Sequence, residues 1–276
     1  MTLETLWSDS GAAGWGTVAF ADLLPHMSEV NRARAQSLCP GAAGVFMAAF
    51  PYYAGDEPGN LSLYARGEDY HGAVVRRLSG VCRGLSGMFP DQHFFPAADT
   101  SPIPEKEAFA LAGLGLRGRN TLSILPPWGS WLFLGSILTD LPLSSAPLPA
   151  PDCLNCNRCV SACPSGALSA SGLNPKRCLS DLTQRKGGLT EEEEALLRRH
   201  PLIWGCDLCQ RVCPYNQDAA LTPLPEFRKN LISSLSGLEV DGLTNRQFRE
   251  KYAGRAFNWR GPAVLQRNWK LMRAGE

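Results

Sequence analysis

Apolar residues recur at helical spacing from Tyr70 to Met88, where Val74, Val75, Leu78, Val81 and Leu85 mark one face. That stretch is expected to form an amphipathic helix packed on a core. Phe20 to Leu38 reads as a second helix in spite of Pro25, and Glu105 to Ala112 as a short third, with Pro104 suited to its first turn. The unbroken apolar run Gly44-Val-Phe-Met-Ala-Ala-Phe50 has the length of a buried strand, and Thr121–Leu125 and Ser130–Leu138 read likewise. Pro58-Gly59-Asn60 is a turn. Glu191–Arg199 carries acids first and bases last, the order that suits the helix dipole, and is expected to be a solvated helix. A proline-rich stretch from Leu141 to Pro151 reads as a linker. The pattern divides the chain into an α/β (α+β) region over 1–145, a cysteine-rich region over 146–220 and a helical basic tail over 221–276.

Composition adds limits. With 44% hydrophobic and 19% charged residues, the 276-residue chain reads as soluble and globular. No apolar run reaches the ~18 residues of a membrane span, and MTLETLWSDS has no basic and apolar leader pattern, so a cytoplasmic protein is expected. The formal charge is +1, so attraction to nucleic acid would have to come from local patches. Between Arg246 and Arg273 there are eight basic residues and one acid, Glu250. Such a tail suits phosphate contact, although an exposed helix reads nearly as well.

Eight of the ten cysteines change the picture most. Cys153-x2-Cys156-x2-Cys159-x3-Cys163-Pro164 is followed by Cys178 and then Cys206-x2-Cys209-x3-Cys213-Pro214. Closely spaced thiolates point at one small iron–sulfur cluster, and the cysteine before proline reaches across to a second. The spacing therefore assigns Cys153, Cys156, Cys159 and Cys213 to one [4Fe–4S] cluster, and Cys163, Cys178, Cys206 and Cys209 to another. Disulfides suit small secreted domains, and zinc ribbons lack a triple run of this kind. Cys39 and Cys82 read as small buried residues.

Two further motifs stand upstream. Gly113-Leu-Gly115-Leu-Arg-Gly118 matches the dinucleotide fingerprint, but a helix-like stretch precedes it and a strand-like one follows, the reverse of what that fingerprint needs. A glycine-rich turn lying against some other large ligand fits better. Phe95-Pro-Ala-Ala-Asp99-Thr-Ser-Pro-Ile-Pro-Glu105 puts an aspartate at a strand end. On composition alone Asp99 reads as the acceptor of an Asx turn or a helix cap.

In combination these segments resemble the epoxyqueuosine reductase family. The resemblance is carried by Gly67-Glu-Asp69-Tyr70-His71, Asp99-Thr with Glu105, Ala112-Gly-Leu-Gly115, Gly129-Ser-Trp131, Thr139-Asp140-Leu141, Arg177-Cys178-Leu-Ser180 and Gly205-Cys206-Asp207-Leu-Cys209. It runs over roughly residues 43–268, as in a short form without the helical-repeat extension of that family. It implies that region 1–145 is an α/β cobalamin and substrate domain joined to a ferredoxin-like double-cluster domain. The activity it implies is cobalamin-dependent conversion of epoxyqueuosine to queuosine in tRNA. In that scheme the clusters reduce the cobalt, and Asp99 is the proton donor, which requires desolvation to raise its pKa. Asp99, Ser180, Cys206 and Asp207 would approach the cobalamin. The implied partners are the anticodon region of tRNA and an electron donor such as a flavodoxin or ferredoxin. The alternatives are a related cobalamin-dependent reductase acting on a non-tRNA substrate, or a ferredoxin-type electron carrier.

Overall fold

The computed structural model describes residues 2–146 and 153–275, so part of the expected linker, 147–151, lies outside the described residues. Helix α1 (Leu3–Ser10) starts where the Thr2 side chain accepts the Thr5 N–H, and strand β1 (Gly14–Ala19) follows it. The single helix expected over Phe20–Leu38 is broken in two. Helix α2 (Phe20–Leu23) runs into a 3₁₀ turn containing Pro25, Met27 is extended, and Ser28 caps a new helix, α3 (Glu29–Leu38). Proline cannot sit inside a helix without removing a hydrogen bond, and Ser28 offers a cap three residues later.

Strand β2 (Gly44–Pro51), helix α4 (Tyr70–Met88), strand β3 (Phe94–Ala97) and helix α5 (Glu105–Leu111) come next. The short strands β4 (Leu116–Arg117) and β5 (Ser123–Ile124) form a hairpin, and β6 (Leu132–Thr139) completes this half. The main sheet has the order β1-β2-β6-β3 with every neighbour antiparallel, so this is a mixed fold of the α+β kind.

Strand β2 explains why its sequence shows no alternation. Phe46, Ala48 and Phe50 join the core beneath α1 and α4, whereas Val45, Met47 and Ala49 join the core beneath α2, α3 and α5. A strand covered on both faces needs apolar residues throughout. Helix α4 crosses β6 closely at Gly135, where a Cβ would lie 2.6 Å from Val74 Cγ1.

The cysteine-rich half has little regular structure. It holds α6 (Arg158–Ser161), a hairpin of β7 (Leu168–Ser169) and β8 (Gly172–Leu173), α7 (Leu179–Gln184), α8 (Glu191–Arg198) and α9 (Leu208–Arg211). Helix α8 starts on a Thr190–Glu193 capping box, and it is not wholly solvated, because Leu197 packs with Leu179 and Leu182.

The tail contributes α10 (Gly237–Val240), α11 (Asn245–Lys251) and α12 (Pro262–Arg273). Their apolar faces share one core with Leu61, Ala65, Ile203 and Trp204, which ties both halves of the chain to the tail. Two of its arginines are structural, which takes them out of the set available for phosphate contact. Arg255 donates to the carbonyls of Arg66, Gly67 and Asn230. Arg267 donates to the carbonyls of Leu182, Arg185 and Gly187. Arg260 lies over the Trp259 ring at 3.5 Å. Among the described residues no helix is long and apolar enough to cross a membrane.

Arg267→Ala is expected to cost about 2–4 kcal/mol in a denaturation midpoint, because three carbonyls lose a charged donor. Arg267→Lys should recover little, since an ammonium lacks the fork that spans them. Arg246, exposed on α11, should tolerate alanine within about 0.5 kcal/mol.

Candidate functional site

The sheet, the loop after β3 and the cysteine-rich half enclose a cavity of about 360 Å³. Its lining includes Asp99, Glu105 and Lys106, and the apolar part is supplied by Tyr70, Leu132, Phe133 and Leu134. Cys163, Cys178, Cys206 and Cys209 line it as well, as does Ser180. Asn120 to Ser123, on the turn that follows the glycine-rich run, form part of the rim. That run makes the β4–β5 hairpin after α5, so the strand-to-helix context of a dinucleotide site is missing.

Strand β3 delivers Asp99 in a left-handed conformation, φ 58°, which aspartate tolerates better than most residues. Its N–H donates to Glu105 Oε1 at 2.9 Å, at the start of α5. Its Oδ2 lies 3.0 Å from His71 Nε2, and His71 Nδ1 lies 2.7 Å from Asp69 Oδ1. The same Asp69 oxygen accepts the His71 N–H at 3.1 Å as the cap of α4. Asp69, His71, Asp99 and Glu105 thus form one connected chain.

Protons are distributed unevenly along it. The Asp69 hydrogen bond, then that of Asp99, pushes His71 up to about 9, so the imidazole carries its proton at neutral pH. The hydrogen bond from His71 outweighs desolvation and holds Asp99 below the ordinary carboxylate range. This corrects the expectation that burial raises Asp99. The raised carboxyl is its neighbour Glu105, which burial pushes up to about 8. The sequence placed both His71 and Glu105 in the motif without giving either a role.

Several of the eight cysteines lie within electrostatic reach of one another. Cys213 feels the charges of Cys153, Cys156 and Cys159, and Cys206 feels those of Cys178 and Cys163. Cys209 neighbours all three of its expected partners, and also Cys159 of the other set. Backbone N–H groups face several sulfurs. For Cys163, burial is outweighed by the amides of Leu168, Ala167 and Ser165, and its thiol sits below the usual range. Burial pushes Cys206 up to about 12, so a cation must displace that proton. Grouped thiols with amide donors suit two iron–sulfur clusters. All four members of the second set line the cavity, and none of the first set does. Cys156 of the first set is exposed. Cys39 and Cys82 are buried in the cores, as expected.

Asp207 departs from its expected role. Its carboxylate is buried away from the cavity, accepts Ser62 Oγ–H at 2.5 Å and Leu63 N–H at 3.0 Å, and fastens the second cysteine run to the first half. A second fastening was not foreseen. Asn216 accepts the Ser130 N–H at 2.7 Å and donates to the Gln210 carbonyl, while Ser130 Oγ–H donates to Gln210 Oε1. The Gly129-Ser130 motif before β6 was the available signal. A Cβ on Gly129 would stand 2.0 Å from Asn216 Oδ1.

These features define an iron–sulfur protein in which a carboxylate bonded to an imidazole and one set of four thiols line the same cavity. A family model described as a 4Fe-4S double cluster binding domain matches residues 152–216. Another, "Epoxyqueuosine reductase QueG, DUF1730", matches residues 32–100. The epoxyqueuosine reductase of Listeria monocytogenes is 38% identical over 210 residues, covering 73% of this chain and 53% of that protein. That of Lactococcus garvieae is 34% identical over 229 residues, covering 80% and 65%. The solved epoxyqueuosine reductase of Streptococcus thermophilus superposes with a TM-score of 0.83 at 25% identity, covering 99% of this chain and 80% of that one. The same scores describe an epoxyqueuosine reductase solved with a tRNA-Tyr epoxyqueuosine-modified stem loop. A Bacillus subtilis epoxyqueuosine reductase, solved with its catalytic loop swung out of the active site, gives a TM-score of 0.81 at 25% identity, covering 99% and 81%. The chain is similar to epoxyqueuosine reductases in one family model, in sequence and in fold. It spans about half to two thirds of the length of the curated relatives it matches.

Anaerobic reconstitution should load about eight irons per chain, and Cys178→Ala should lower that to about four. Cys39→Ala should leave the iron content unchanged. Iron assay with absorbance near the cluster bands reads all three.

Proposed function

We propose that this protein reduces epoxyqueuosine to queuosine in tRNA, with cobalamin held in the cavity between Asp99 and the thiols of Cys163, Cys178, Cys206 and Cys209. One observation carries the reading: Asp99, which is bonded to His71, and one complete set of cluster thiols line the same cavity. The lining suits a large flat cofactor, with broad apolar walls at Phe133 and Leu132 and polar groups at Asn120, Ser123, Ser130 and Ser180. When bound, cobalamin would supply a strongly nucleophilic reduced metal centre. The names of the relatives, and the neighbour solved with a modified tRNA stem loop, support the substrate.

The division of labour follows from position. The second set of thiols holds the cluster nearest the cavity, and the first set holds the one nearest solvent. Electrons from a flavodoxin- or ferredoxin-type donor therefore enter on the Cys156 side. Asp99 delivers a proton to the opening epoxide oxygen, and Glu105 holds its loop by accepting the Asp99 N–H. Tyr70, stacked on Phe133 at 4.4 Å, supplies an apolar wall that excludes water. Ser180 and Cys206 border the cofactor, whereas Asp207 acts through the fold.

Under a strong reductant, protein loaded with clusters and cobalamin should convert epoxyqueuosine-containing tRNA to the queuosine form. Asp99→Asn should lower kcat about 10²–10⁴-fold while still retaining cobalamin and iron. Failure of the wild-type chain to retain cobalamin would leave the electron-carrier reading. Cobalamin binding without turnover of that tRNA would point to a different substrate.

A further inference from the structure

We propose that His71 is a proton relay that reloads Asp99, so that one carboxyl group can serve a reaction consuming two protons. The inference deepens the epoxide reading and rests on it. Converting an epoxide to an alkene breaks two C–O bonds, takes up two electrons and two protons, and releases one water. The clusters bring the electrons. A single carboxyl group brings one proton, and Asp99 in this structure is a carboxylate that accepts from His71.

His71 is built for the second delivery. Its Nε2 faces Asp99 Oδ2 at 3.0 Å, its Nδ1 faces Asp69 Oδ1 at 2.7 Å, and its ring stacks on Tyr70 with centroids 4.1 Å apart. Asp69 is itself fixed, because the same oxygen caps α4. The ring is thus held in one orientation with each nitrogen aimed at a different carboxylate. Its side chain is 37% exposed, so water can recharge it. The charged and titratable groups around the pair are Asp69 and Tyr70 from α4 and its cap, Glu105 and Lys106 from α5, and Tyr64 from the turn before α4. Lys106 also acts on Asp99, while Arg76 on α4 is paired with Glu68 instead.

The step balances as follows. His71 Nε2–H gives its proton to Asp99 Oδ2, and the resulting carboxyl group protonates the oxygen as the first C–O bond breaks. The neutral imidazole takes a proton from solvent and passes it to Asp99 again. This second proton goes to the hydroxyl group, which leaves as water when the second C–O bond breaks. His71 gains and loses protons only, and both electrons come through the clusters. It acts through Asp99, and is a positioning and relay residue rather than one that touches the substrate.

The test uses the full chain loaded with clusters and cobalamin, acting on epoxyqueuosine-containing tRNA. His71→Gln should lower kcat about 10–100-fold, at the lower end of general acid–base effects, with KM unchanged. The wild-type kcat should fall as pH rises through about 9, where His71 loses its proton, and His71→Gln should lack that limb. Imidazole in the buffer should restore part of its kcat. A second arm needs no turnover. In a chain labelled with ¹⁵N-histidine, the His71 nitrogens should titrate on the alkaline side of an ordinary histidine, and Asp99→Asn should bring the midpoint down. An unchanged kcat and pH limb in His71→Gln, or a midpoint indifferent to Asp99→Asn, would overturn the relay. If the wild-type chain consumes no epoxide, the functional reading fails by itself, and the midpoint still decides whether His71 and Asp99 share a proton.

Discussion

The buried carboxylate of Asp207 is the joint on which the cavity depends. It sits in the second cysteine run and accepts from Ser62 and the Leu63 amide, which belong to the other half of the chain. Burial pushes its pKa up, and those two donors, with Arg211 and Arg66 nearby, oppose that push. A buried carboxylate is tolerated only when it is paired, so the pairing fixes the register between the halves. The Ser130–Gln210–Asn216 network makes the same attachment from the turn before β6. Between these two fastenings the thiols of Cys206 and Cys209 are presented to the cavity. A small rotation here would move the thiols relative to Asp99, although nothing near Asp99 had changed.

The legible parts of the sequence were those set by local rules. Helix α4 spans the residues that the apolar spacing marked, and β2 and β6 fall on the apolar runs. The double-cluster domain could be read because C-x2-C spacing fixes geometry within a few residues. Strand β1 was missed because Gly-Trp-Gly-Thr has neither an apolar run nor clear alternation. It is a strand because Ala49 to Gly44 offers it a full ladder of partners. The Phe20–Leu38 stretch folds as two helices because Pro25 ends the first and Ser28 caps the second, a cap that the apolar pattern does not mark.

The site was legible as a set of residues, not as a circuit. His71 and Asp99 stand 28 positions apart, and nothing in either segment says that they meet. Asp99 was expected to be an acid raised by desolvation, a reading that treats it alone. Placed against an imidazole, it becomes the ionised partner, and the proton is stored on the histidine. The basic tail was ambiguous for a similar reason. Charge can be counted from sequence, but whether Arg255 and Arg267 meet phosphate or carbonyl oxygen depends on the fold around them.

The cap of α4 links two equilibria that are usually separate. Asp69 Oδ1 holds the first turn of the helix through the His71 amide and holds the same residue's ring through Nδ1. Fraying of that turn would release the imidazole from its carboxylate, and loss of the ring proton would weaken the anchor that orients the cap. The proton affinity of the site is thus a readout of helix folding. A helix whose other face lies in the core beneath the sheet lends the stiffness of that core to an exchangeable proton.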